Sequence, residues 1–485
     1  MPWIPAYAGM TVKTPRNLGS SLRLAFISVE IQTKAKRRLD PIFHIPEIER
    51  IIWMSLFADR NKIIGTENAF KIGPHIAKVE ASGTAVVKLN LGEPDFSAPE
   101  WVKTEVIRNI QLDNSHYCDP KGVLPLREAI AGQINATRKL DVNAEQVCVF
   151  PGGKPSIGFA QQIYCNPGDE IIYPSPGFPI YESFIRYIGA VPVTMHLEEE
   201  QNFTISAGQL EELISPRTKL IILNFPSNPT GGVATKDQLE GLARVILDKC
   251  DPHTRVYSDE IYENIIFDGR THHSIASVPG MEKMTIISSG FSKSFAWTGG
   301  RIGYAVLPTA EEANAFKNMN INYFSCIPPY NQAGATEALK NPASGPWMAE
   351  MAQTFEKRRD VIVNMLNDVQ GIRCQTPGGA FYLFPNIAGL CERLGVFDAM
   401  GTLSKDKKIY TSPSTLFQMF ALYSHQVAVM DRRSFGAIGT ENKHFLRLSI
   451  AADIESLKDG VRRLAAAGDD RVGFQRFVQK GENLF

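Results

Sequence analysis

The sequence predicts an α/β fold built on parallel strands, with a ligand site where the strands end. Three observations point there. Apolar runs end in polar turns at Asn228, Asp259 and Lys293, and these residues are spaced 31 and 34 positions apart, about one strand–helix unit each. The runs are short and continuous, Leu220-Ile-Ile-Leu223 among them, which suits strands covered on both faces. A further run, Val147-Cys-Val-Phe-Pro-Gly-Gly-Lys154, passes through a double glycine into a helical pattern, and a helix start after such a turn offers free N–H groups to an anion. In an open α/β sheet ligands bind at the carboxyl ends of the strands. An amide, a carboxylate and an amine are therefore expected to converge on one crevice.

The chain order supplies the other candidates. Val86–Phe96 reads as a strand entering a Gly92-Glu-Pro-Asp turn, where glycine permits a close backbone approach; a plain turn is the alternative. Tyr117 sits in the loop His116–Gly122 and either packs locally or reaches a ligand or a partner chain. An amphipathic helix is expected over 125–133. The stiff loop Pro174-Ser-Pro-Gly-Phe-Pro179 carries Phe178, which reads either as a stacking surface for a flat ligand or as a core-closing aromatic. Asn228 precedes Pro229, a pair able to hold a cis bond. Asp259, with Tyr262 just beyond, reads as a partner for a cationic ring nitrogen or as a turn cap. Lys293 lies between serines and apolar residues, where partial desolvation makes an amine nucleophilic, and Arg301 is suited to a phosphate. Helices are expected over 310–318, 330–339, 347–369 and 455–467. The segment 378–384 reads as antiparallel. Arg447 is centred in an apolar strand, His444–Ile450; buried there it needs a partner, a substrate carboxylate or an internal acid.

Composition narrows the classes of function. The chain has 485 residues, with 51 basic against 51 acidic side chains and no net charge. That argues against a general nucleic-acid or anionic-membrane binder. No apolar run of membrane-spanning length occurs. The seven cysteines are odd in number and form no C-x-x-C pair, which fits a reducing cytoplasm and supplies no zinc ligand set; no metal is expected. Residues 1–60 differ from the rest. They contain no acidic residue before Glu30 and a basic cluster at Lys34, Lys36, Arg37 and Arg38. They read as a disordered or non-native extension, with Met54 as a natural start, or else as a transit peptide.

From about residue 65 onward the chain resembles the fold-type I pyridoxal-phosphate enzymes, the class I/II aminotransferases in particular. The motifs are Gly92-Glu-Pro-Asp-Phe, Asn228-Pro-Thr-Gly, Asp259-Glu-Ile-Tyr262, Phe291-Ser-Lys-Ser-Phe with Gly-Arg301-Ile-Gly-Tyr, and Phe445-Leu-Arg-Leu-Ser, in the family order. The resemblance implies a large cofactor domain over 113–345, its mostly parallel sheet flanked by helices, and a smaller α+β domain from both chain ends, 61–112 and 346–485. It implies that Lys293 forms a Schiff base with pyridoxal 5'-phosphate and shuttles the Cα proton. Asp259 would pair with the pyridine nitrogen. Asn228 and Tyr262 would bond the ring hydroxyl oxygen, and Phe178 would stack on the ring. Gly152, Gly153, Lys154 and Arg301 would bind at or near the phosphate, as would Tyr117 from the neighbouring subunit of a homodimer. Gly92 and Arg447 would hold the substrate α-carboxylate, with Asn228 and Phe178 beside it.

Substrate choice follows less directly. Gly152-Gly-Lys154 resembles the prokaryotic aspartate aminotransferase subgroup, where a lysine contacts the distal carboxylate, so aspartate or glutamate is favoured as donor to a 2-oxo acid. Departures from that pattern are Pro155 after Lys154, Gly300 before Arg301 with Trp297 three residues earlier, and a long segment over 396–423. They leave open aromatic or alanine-type donors, or a C–S β-lyase using the same lysine.

Overall fold

The structure, a computed structural model, describes residues 56–65 and 71–484. Residues 1–55 of the expected extension lie outside them. After β1 (Val87–Lys88) come β2 (Val147–Phe150), β3 (Glu170–Ser175), β4 (Val191–His196), β5 (Thr218–Asn224), β6 (Arg255–Asp259), β7 (Thr285–Gly290) and β8 (Gly303–Val306). The last seven form one sheet in the order β2-β8-β7-β6-β5-β3-β4. Only β8 runs against its neighbours; the other contacts are parallel. The apolar runs behave as expected of strands covered on both faces. Residues 147–150, 170–175, 285–290 and 303–306 are all buried.

Register places the site. Asn224 lies opposite Asp259, and Asp259 opposite Ser288. β5 and β6 therefore end level, β7 runs on past them to Gly290, and Lys293 follows on the short helix Phe291–Ser294 where β7 stops. The double-glycine turn leads into the helix Lys154–Tyr164.

Four further strands, β9 (Tyr382–Leu383), β10 (Val427–Ala428), β11 (Met430–Asp431) and β12 (Leu446–Ser449), come from the C-terminal third. β1 pairs parallel with β10. β12 lies between β11 and β9, antiparallel to both, as the segment 378–384 predicts. The first strand, Val87–Lys88, is shorter than the sequence suggests. The helix expected over 125–133 spans Leu124–Arg138. Helices at Pro413–His425 and Ile454–Asp469 pack on the small sheets, burying Leu416, Phe420, Leu457 and Leu464. None of the described helices is long and apolar enough to cross a membrane.

Candidate active site

A cavity of about 550 Å³ opens where β5, β6 and β7 end. It is lined by Gly92, Gly153, Lys154, Phe178, Asn228, Asp259, Tyr262, Lys293, Arg301 and Arg447. Of the residues expected from the sequence, only Gly152 and Tyr117 are not in its wall.

Asp259 forms the floor. Its Oδ2 accepts a hydrogen bond from the Tyr181 hydroxyl at 2.6 Å, and its Oδ1 a long one from the Ile261 N–H at 3.4 Å. Burial pushes this carboxyl up to about 6, against the opposing pull of the Tyr181 bond. Asn224 ties the neighbouring strand end down. Its amide donates to the Asp259 carbonyl at 3.1 Å, and its Oδ1 accepts from the Asn228 N–H at 2.9 Å. The peptide between Asn228 and Pro229 is cis. The hydroxyls of Tyr262 and Tyr382 share a hydrogen bond of 2.8 Å, and desolvation holds the Tyr262 hydroxyl well above its usual range.

The side opposite is built from the backbone of Gly92 and from Arg447. The Lys293 Nζ donates to the Gly92 carbonyl and stands 5.6 Å over the Phe381 ring. A Cβ at Gly92 would run into the Tyr382 hydroxyl, which is the physical reason for glycine there. Arg447 is buried. Its Nη1 donates to Asn228 Oδ1 at 3.1 Å and its Nη2 to the Asn90 carbonyl at 2.6 Å. Its guanidinium carbon lies over the rings of Tyr382 and Phe435, 4.5 and 4.8 Å from their centroids.

The third corner suits an anion. Gly153 and Lys154 open a helix of 11 residues, and Arg301, Ser292 and Thr298 face the same space. Arg301 donates to the carbonyls of Thr298 (2.9 Å) and Pro151 (3.3 Å), from a backbone with φ of 50°. Gly152 lies behind this corner, and any Cβ on it would meet the Arg301 guanidinium. Trp297 fills the space that a side chain at Gly300 would take, which accounts for the glycine before Arg301. Phe178 stands at the rim, edge-on to Tyr181 with centroids 5.8 Å apart and with Lys154 Nζ 5.8 Å from its ring centroid.

Tyr117 is 88% exposed. Its loop is nevertheless braced, by Lys121 to Glu145 (2.6 Å), Arg127 to Asp119 (3.3 Å) and Asn320 to the Pro120 carbonyl (2.9 Å). The long segment 396–423 contributes no residue to the cavity wall; it forms three helices against the C-terminal core.

Sequence reasoning missed Tyr181, Tyr382 and Asn224. A signal existed for Tyr181, three residues after Phe178 and so one helical turn along. Asn224 is the last residue of β5, where an amide has only turn chemistry to mark it. Nothing local marks Tyr382.

The site fits the cofactor that the resemblance implies. The Asp259 carboxyl is held by the Tyr181 hydroxyl and the Ile261 N–H, and a cationic ring nitrogen would stabilise its charge against burial. Gly153, Lys154 and Arg301 form a donor set for a phosphate, and the cavity joins both ends.

Comparison with known proteins agrees. The family model for aminotransferase class I and II matches residues 84–464. The aspartate aminotransferase of Rhizobium meliloti is 33% identical over 413 residues, 85% of this chain and 96% of that protein. The aspartate/prephenate aminotransferase of Cereibacter sphaeroides is 33% identical over 390 residues, 80% of this chain and 92% of that protein. A solved structure of the Thermus thermophilus aspartate aminotransferase with maleate superimposes with a TM-score of 0.75 at 29% identity, covering 85% of this chain and 100% of that one.

Proposed function

The chain belongs to the class I and II aminotransferases, and on that premise we propose that it moves the amino group of a dicarboxylic amino acid, aspartate or glutamate, to a 2-oxo acid. One observation carries the choice of substrate: besides Lys293 and Arg301, which serve the reaction and the phosphate, Arg447 and Lys154 line the same cavity. A substrate with one carboxylate engages one of them, and a second carboxylate engages the other. The names of the relatives support this reading.

As a member of this family the protein uses pyridoxal 5'-phosphate, which when bound supplies an aldehyde for the amino group and a ring that takes up the electrons left at Cα. The roles of the chain's own residues are our assignment. Asp259 would hold the ring nitrogen, Asn228 and Tyr262 the ring hydroxyl oxygen, and Phe178 the ring face. Gly152, Gly153 and Arg301 would hold the phosphate, and Lys154, near it, the distal carboxylate. The planar fork of Arg447, aided by the Gly92 backbone, fixes the α-carboxylate. Lys293 Nζ, anchored at the Gly92 carbonyl, is the base that takes the Cα proton and later returns it. Tyr382 orients Tyr262 through their shared hydrogen bond. The apolar walls Leu91, Ile157 and Ile261 favour a second reading, in which larger acceptors such as prephenate also enter.

We further propose a homodimer in which Tyr117 reaches the neighbouring subunit's phosphate site. Its exposure on a braced loop supports this. Pairing of β1 with β10 supports one smaller unit made from 61–112 and 346–485, beside a cofactor unit over 113–345. Seven free thiols are consistent with a cytoplasmic enzyme.

The test is the visible absorption spectrum of the cofactor-loaded protein against a panel of amino acids. Aspartate or glutamate is expected to shift the band and yield a 2-oxo acid, and Lys293→Ala to lose at least about a thousandfold in turnover. A spectrum that only alanine or an aromatic amino acid shifts would sink the dicarboxylate assignment. Pyruvate and ammonia formed without an acceptor would point to a lyase.

A further inference from the structure

Arg432 is among the largest side chains buried to below 2% exposure, at 1%, and it lies outside the cavity wall. It begins the turn Arg432–Phe435 that follows β11. β11 pairs with β12 so that Met430 lies opposite Arg447. Arg432 thus starts two residues from the partner of the proposed carboxylate-binding arginine. Its other end reaches the parallel sheet. Nη2 donates to Ser175 Oγ at 2.9 Å, while Nη1 donates to the carbonyls of Gly436 at 3.1 Å and Phe435 at 3.4 Å.

Ser175 ends β3 and leads into the loop of Phe178. The same Phe435 carbonyl accepts from the Gly177 N–H at 2.9 Å. Two residues on, the Ala437 N–H donates to Glu182 Oε2 at 3.0 Å, on the helix Ile180–Tyr187 that carries Tyr181. Gly436 has φ of 111°, and a Cβ there would lie 3.3 Å from Ser175 Oγ, so the two backbones are in close approach. The Phe435 ring itself stacks under the Arg447 guanidinium at 4.8 Å. Residues 431–437 therefore form a strap, with one end at Arg447 and the other at Ser175, Gly177 and Glu182, which flank Phe178 and Tyr181.

A buried arginine is a costly way to fill this space. Its Nε has no partner, and an apolar side chain of similar volume would avoid the desolvation. What an apolar side chain lacks is direction: a planar fork fixes the spacing between its own turn, through the Phe435 and Gly436 carbonyls, and the Ser175 side chain.

We infer that Arg432 is a positioning residue for amino-group transfer, holding the Arg447 strand and the Phe178 loop at one fixed spacing so that substrate carboxylate and cofactor ring stay in register. The inference rests on the roles assigned to Arg447 and Phe178 above. It predicts that Arg432 acts on substrate binding without touching substrate.

Two variants of the cofactor-loaded enzyme test it. Arg432→Met keeps the volume and removes the fork. Ser175→Ala keeps the charge and removes its far anchor, and decides the matter if the first variant does not fold. The wild-type enzyme is first assayed to establish its amino donor; if no amino acid is accepted, the functional reading fails and not this one. Both variants are expected to keep the cofactor absorption band. KM for the donor and the Kd of maleate should rise about tenfold, the scale of one lost charge-assisted hydrogen bond, with kcat changed much less. The double variant should be no worse than the worse single one. KM and Kd within about twofold of wild type in a folded variant, or a loss in kcat alone, would overturn the inference.

Discussion

The Tyr181 hydroxyl donates to Asp259 Oδ2 at 2.6 Å, and both residues are buried. This bond opposes the effect of burial on the carboxyl, which stands at about 6. Tyr181→Phe removes the donor, so the Asp259 carboxyl should rise further. A lost hydrogen bond to a charged group costs about 1.5–3 kcal/mol, or roughly one to two pH units. Pyridoxal phosphate binding, measured from pH 5 to 9, should lose its acid limb by that interval and recover at high pH. An acid limb that stays in place would show that the tyrosine does not set the ionisation.

Asp259→Asn addresses the same carboxyl from the side of stability. The folded-state value of about 6 exceeds the ordinary 3.8, so the cofactor-free folded chain binds this proton more tightly than the unfolded chain. The stability this contributes is fully present below 3.8 and is lost as pH rises through 6. At pH 8 the loss is on the order of 3 kcal/mol. Without cofactor, the variant should therefore melt above the wild type at pH 8, with the gap closing towards pH 4. Thermal melts across that range check it, and a gap that grows towards low pH would refute the sign.

Arg447→Lys keeps a charge but loses the fork now held by Asn228 and the Asn90 carbonyl. Binding of every substrate should weaken, because all share the α-carboxylate. A fall in kcat/KM of about a hundredfold is expected for donors and 2-oxo acids alike. Unequal losses between aspartate and alanine would place Arg447 elsewhere on the substrate.

Lys154→Met should separate the two carboxylates. A contact made only by the distal group predicts a loss of about tenfold or more in kcat/KM for aspartate and glutamate, and little change for alanine. If alanine suffers equally, Lys154 serves the phosphate alone. Steady-state assays with cofactor in excess distinguish the two.

How far the site was legible depends on the range of each interaction. The chain's alternation of apolar run, polar turn and helix fixes where Asn228, Asp259 and Lys293 fall, because strand length and turn chemistry are decided within a few residues. The double glycine before Lys154 marks a helix start for the same reason. Arg447 is conspicuous as a charge inside an apolar strand. By contrast, the Tyr181–Asp259, Tyr262–Tyr382 and Arg432–Ser175 pairs join residues 78, 120 and 257 positions apart. Each is a bond between ordinary-looking side chains, and no window of sequence contains both partners.

The sequence alone therefore determined the α/β class, the βα rhythm and the set of polar groups at the strand ends, since these follow from backbone geometry and from which residues avoid water. Only the tertiary structure decided that β5 and β6 end level beside β7, that Asp259 is desolvated beneath Tyr181, that Trp297 fills the space beside Gly300, and that the Arg447 strand is strapped to the Phe178 loop. Those outcomes depend on register and burial, which the chain settles collectively when distant segments pack and remove one another's water.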